Sequence, residues 1–174
     1  MNRILFFILL GFLFNLVNCA GIYNEPVLIN KQKTNSISKN IRLEFTGFYF
    51  YEKELNLLKT EILNSGLRED SNSPVLLEVI LEEKEVTYKY SFLHSINFIA
   101  SLFTAGIIPY YTITKHQITY RFSEGKKELN NTRLELELDQ LRGLSLLPIT
   151  PFFWPSSAFD KSILDSWKKQ GEIK

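Results

Sequence analysis

The chain reads as an α+β protein, a single antiparallel β-sheet packed by two helices, with an apolar helical insertion between strands. Three observations predict this. Short runs in which every second residue is apolar occur at 41–46, 77–81, 118–122 and 134–138, the period of half-buried strands. Tyr51, Leu55, Leu58 and Ile62 recur at helical spacing early in the chain. Phe159, Ile163, Leu164 and Trp167 do the same at its end, so strands and helices segregate instead of alternating.

The elements follow in order. Residues 20–40 carry Asn24, Asn30, Asn35, Ser36, Ser38 and Asn40 with scattered lysines, which suits a flexible tether with an end-to-end distance of about 25 Å. Ile41, Leu43 and Phe45 alternate with Arg42, Glu44 and Thr46 in a first strand, which Gly47 ends. The helix after it stops at Gly66, with Leu67 placed for the apolar contact of a C-terminal cap. Leu77, Val79 and Leu81 start a further strand, and the alternation resumes at Val86, Tyr88 and Tyr90. Ile118, Tyr120 and Phe122 run into Glu124-Gly125 and are answered by Leu134, Leu136 and Leu138, a β-hairpin. Ser157 and Asp160 have capping-box spacing for the last helix, and Gly171 lies past its lysines.

At the front, Arg3 is followed by an uncharged apolar run over 4–17, the shape of a signal peptide and short for a stable transmembrane helix. The run stops at Leu16-Val17-Asn18-Cys19-Ala20-Gly21, and Cys19 is the only cysteine in the chain. An intramolecular disulfide is therefore excluded. Leu16-Val17-Asn18-Cys19 resembles the lipobox of bacterial lipoprotein precursors, departing from it at Asn18, where a smaller residue is commoner. The resemblance implies cleavage after Asn18, a thioether-linked diacylglycerol on Cys19 and acylation of the new amino terminus, two signals that together give stable anchoring. It implies three parts: a leader over 1–18, a lipidated N-terminus and tether over 19–40, and one domain over 41–174. Ala20, in place of the Asp that retains lipoproteins at the inner membrane, favours the outer one. The strand-helix-strand order also resembles, in topology alone, the small lipoproteins that assist envelope assembly.

With Arg3 in the leader, the remaining acidic and basic side chains balance, which leaves no broad basic stripe for nucleic acid. The chain has no nucleophile elbow, no phosphate-binding loop and no paired-histidine zinc helix, so no catalytic residue, metal or cofactor is expected. His94 and His116 stand alone, and His116 reads as a surface or satisfied core residue. Glu135, Glu137 and Asp139 alternate with leucines and belong on a solvated sheet face, with basic residues of neighbouring strands opposite.

Two segments remain as candidates for contact with a membrane or a protein partner. Residues 91–114 contain no acid, lysine or arginine, and Phe98, Leu102, Phe103, Ile107 and Ile108 lie within them. A short helix with a turn at 106–109, packed over the sheet, is the simplest reading; a membrane or partner contact is the next, and insertion of 92–113 into a bilayer by a pore or transport subunit the third. Phe152, Phe153 and Trp154 sit in a loop bracketed by Pro148, Pro151 and Pro155 and are expected to fold back over the core. The function this predicts is that of a membrane-anchored, non-enzymatic envelope lipoprotein with a binding, scaffolding or assembly role.

Overall fold

The computed structural model describes residues 19–32, 38–148 and 150–172. The leader, with Leu16, Val17 and Asn18, lies outside the described residues. The elements are β1 (Cys19–Tyr23), β2 (Val27–Gln32), β3 (Asn40–Thr46), α1 (Glu52–Asn64), β4 (Arg68–Glu69), β5 (Val75–Lys84), α2 (Ser91–Phe103), β6 (Tyr110–Glu124), β7 (Lys127–Arg142) and α3 (Pro155–Glu172). Single 3-10 turns occur at Leu144–Leu146 and Thr150–Phe152.

The class is α+β, as the sequence predicts, but the sheet is mixed. Its strand order is β1-β7-β6-β5-β3-β4, with β2 also paired to β7. The strands β3 and β5 run parallel, from Arg42 opposite Leu76 to Thr46 opposite Ile80. The reason is α1: a helix between two neighbouring strands carries the chain back to the end it started from, whereas a tight turn would reverse it. There are three helices among the described residues, because the apolar insertion forms α2 beside the two expected from periodicity.

Two strands lie within the stretch read as a tether. The first, β1, pairs antiparallel with β7 from Cys19 opposite Arg142 to Tyr23 opposite Leu138, and β2 pairs with β7 from Val27 opposite Glu135 to Gln32 opposite Asn131. The partner strand supplies the backbone hydrogen bonds that a polar segment cannot find locally. Further differences are local. Residues 86–90 are not strand, and α3 starts at Pro155, two residues before Ser157, where proline's missing N–H costs nothing. Asp160 pairs with Lys53 instead of capping, and α3 continues through Gly171.

The described residues fall into two compact units. The second comprises those within Glu25–Lys84, Lys115–Glu137 and Asp160–Lys174. It holds most of the buried apolar side chains: Val75, Leu77, Val79 and Leu81 on β5, Ile118, Tyr120 and Phe122 on β6, Leu58 and Ile62 on α1, and Ile163 and Trp167 on α3. Every second residue of β5 from Val75 to Leu81 is buried, the pleat pattern that the sequence shows. The Tyr120 ring meets Trp167 edge-on with centroids 5.3 Å apart, and its hydroxyl lies 2.7 Å from Ser166 Oγ, so the buried phenol is satisfied. Gly47 ends β3 at φ +85°, and a Cβ there would stand 1.9 Å from the Leu81 carbonyl oxygen, so only glycine fits.

On the polar side of the same unit, Lys115 bridges Glu135 at 3.2 Å and Glu137 at 2.7 Å, and Arg121 reaches Glu78 at 2.9 Å. Lys115 is the basic cross-strand partner expected for Glu135 and Glu137, whereas Asp139 accepts from Asn24 and Tyr111 instead. His116 is a buried residue, with Nε2 2.9 Å from the Tyr51 hydroxyl. It is a core histidine, not a surface one, and it is held through Nε2.

Candidate functional site

The first unit comprises the described residues within Met1–Asn24, Glu85–Thr114 and Leu138–Phe159. Its burial pattern is the reverse of the second unit's. Of the nineteen buried apolar residues among those described it holds four, Ala20, Leu138, Leu146 and Phe159, while sixteen of the twenty described large apolar side chains left exposed belong to it. Each large apolar side chain left in water forgoes part of the about 1.5–3 kcal/mol that full burial would give, and the exposed apolar surface is concentrated in this unit.

The centre of that surface is α2. None of its residues is buried. The half-buried ones are His94, Asn97, Ala100 and Ser101, and Thr104 continues the row just past the helix. Their spacings of three and four place them on one face, which carries four of the segment's six polar side chains, Ser91 and Ser95 being exposed. The apolar residues Phe92, Leu93, Ile96, Phe98, Ile99, Leu102 and Phe103 cover the rest and are exposed, Phe103 to 88% and Phe92 to 75%. The helix is amphipathic in the inverted sense, polar face inward and apolar face outward.

The inward face is held by specific bonds. Asn97 donates from Nδ2 to the Pro109 carbonyl at 2.9 Å and accepts from the Tyr111 N–H at 2.9 Å, satisfying both sides of the chain entering β6. The His94 ring stacks on Tyr88, centroids 3.7 Å apart, and Nε2 lies 3.0 Å from the Tyr110 hydroxyl. Thr104 Oγ1 donates to the Ala100 carbonyl and accepts from the Ile108 N–H, closing the turn. Past the helix Ala105 takes the left-handed conformation, φ +49°, and the Gly106 N–H bonds the Ser101 carbonyl, the six-residue closure of a helix C-terminal cap. Gly143 packs against this turn: a Cβ there would lie 2.7 Å from the Gly106 carbonyl oxygen, and the Leu144 N–H bonds that oxygen at 2.8 Å.

Of the residues singled out in the sequence, Phe98, Leu102, Phe103, Ile107 and Ile108 are all exposed, and so are Phe152, Phe153 and Trp154. Core packing, the simplest reading of 91–114, does not hold for α2. The aromatic triplet does not fold back either: in the 3-10 turn it is Thr150 that points inward, bonding the Leu146 carbonyl, while Phe152 is 82% exposed. Sequence reasoning missed Phe92, Leu93, Ile96 and Ile99 as surface residues. Their signal was the same uncharged run, read as the mark of a core.

Cys19 opens β1 in this unit and is half-buried, its Sγ 4.0 Å from Gln140 Oε1. Burial pushes its thiol pKa up, partly opposed by the Arg142 guanidinium. Such a thiol is a poor nucleophile near neutral pH. Among the described residues no group of histidine, cysteine, aspartate and glutamate side chains could hold a metal ion.

Compared with known proteins, the chain matches no family model and no curated protein. Among solved structures it is similar to PelC dodecamers from Paraburkholderia phytofirmans in two space groups, with 9% and 8% identity and TM-scores of 0.32 and 0.34, over 83% of this chain and 97% of those chains. A likeness at that level carries no argument about function.

Proposed function

We propose that the protein is an envelope lipoprotein, anchored by acyl chains on Cys19, whose role is to bind or help assemble another envelope component. The observation that carries the reading is that the one cysteine in the chain follows the apolar run 4–17 and the Leu16-Val17-Asn18 triplet. The exposed apolar surface of α2 supports it, because it lies in the same compact unit as Cys19. Ala20 following the cysteine favours the outer membrane.

A second reading, a pore or transport-complex subunit that inserts 92–113, draws on the absence of acids, lysine and arginine from 91–114. It has less support, since the thirteen residues of α2 span about 20 Å against a hydrocarbon core of about 30 Å. No helix among the described residues is long and apolar enough to cross a membrane. The anchoring reading is tested by feeding cells an alkyne-bearing fatty acid. The protein is expected to take up the label, and Cys19→Ser is expected to abolish it; label retained by the variant overturns the assignment.

A further inference from the structure

We infer that the outward face of α2 is a second membrane contact, an interfacial surface that lies on the bilayer beside the lipid anchor. This rests on the lipoprotein reading for which membrane is met, but the surface itself is argued from the fold. Three observations commit it to lipid over a protein partner.

The first is charge. The described residues of the first unit carry only four charged side chains, Glu85, Lys89, Asp139 and Arg142, and none of them belongs to 91–114. A protein interface is ringed by a polar rim, whereas 91–114 supplies no charge at all and the charge nearest α2 along the chain is Lys89, two residues before it. The second is the inversion of α2. Interfacial helices lie in the membrane plane with the apolar face towards the acyl boundary and the polar face away from it. Here the polar face is engaged by Pro109, Tyr110 and Tyr111, so the protein itself takes the place of water behind the helix.

The third is position. Cys19 stands opposite Arg142 in the β1–β7 register, Gly143 follows along the chain, and the Leu144 N–H bonds the Gly106 carbonyl at the turn that ends α2. One strand spacing and two residues of chain put Cys19 within about 15 Å of that turn. Acyl chains leaving Cys19 therefore enter the bilayer close to where α2 presents Phe103.

The test uses the full chain reconstituted in phosphatidylethanolamine–phosphatidylglycerol vesicles, with an environment-sensitive fluorophore on Phe103→Cys or, separately, on Phe92→Cys. Phe50→Cys is the control, because Phe50 is 96% exposed but belongs to the second unit. The label at 103, and that at 92, is expected to be quenched several-fold more by nitroxide-bearing lipid than by aqueous iodide, and the label at 50 the reverse. A label at 103 quenched by iodide like that at 50 overturns the inference. So does one shielded from both quenchers, which would mean a second copy or another protein covers the helix, and so does lipid quenching at 50 equal to that at 103. Failure of the lipoprotein reading shows separately: unlipidated Cys19 in the parent chain would itself take up fluorophore, and the depth at 103 is then read on a Cys19→Ser background.

Discussion

His116 and Asn97 show what single polar residues contribute here. His116 is held at 3% exposure on β6, and burial lowers its pKa below the ordinary value of 6.5, with Glu83, its cross-strand partner, opposing. The folded state therefore binds this proton less readily than the unfolded chain. The contribution to stability is present above pH 6.5 and is lost as pH falls from there through the lower, folded-state pKa. Urea titrations are expected to show the unfolding free energy declining over that window, and His116→Gln is expected to flatten that part of the profile; an unchanged slope would contradict the assignment. Asn97→Leu keeps size and does not lower helix propensity but strips the partners from the Pro109 carbonyl and the Tyr111 N–H. Denaturant unfolding is expected to register a loss of about 1 kcal/mol.

At the scale of elements, α1 and α2 are equal in length and opposite in use. The apolar stripe of α1 faces inward, with Leu58 and Ile62 fully buried, so Leu58→Ala is expected to cost about 2–5 kcal/mol. Phe103→Ser on α2 removes a larger side chain, yet the expected change is within about 0.5 kcal/mol, read by the same thermal or denaturant unfolding. The sequence made α1, β5 and the inner parts of β6 and β7 legible because period and burial agree there. It did not reveal the sense of α2, since periodicity distinguishes two faces of a helix without saying which faces the body. That sense is set by bonds from His94 and Asn97 to residues 109–111, which no local pattern announces. Likewise β1 and β2 were hidden because their partner, β7, lies about a hundred residues or more further along the chain, and their own residues barely alternate. The parallel pairing of β3 with β5 was within reach from the helix between them.

Across the whole molecule, burial and charge are divided unevenly. Among the described residues, fifteen of the nineteen buried apolar ones belong to the second unit, with the Lys115 and Arg121 ion pairs, while the first unit holds Cys19, α2 and the aromatic turns. Such a division suits a protein with one compact core and one surface reserved for an apolar environment. The candidate surface was partly legible, since Phe98, Leu102, Phe103 and the 152–154 aromatics were named from composition; its exposure was not, because an uncharged run suits a core equally well. The central claim, a lipid on Cys19, is tested most directly by intact-mass measurement of the protein extracted from membranes. The account predicts a chain that begins at Cys19 and carries the added mass of acyl chains; a chain with an unmodified thiol, or one that begins elsewhere, would contradict it.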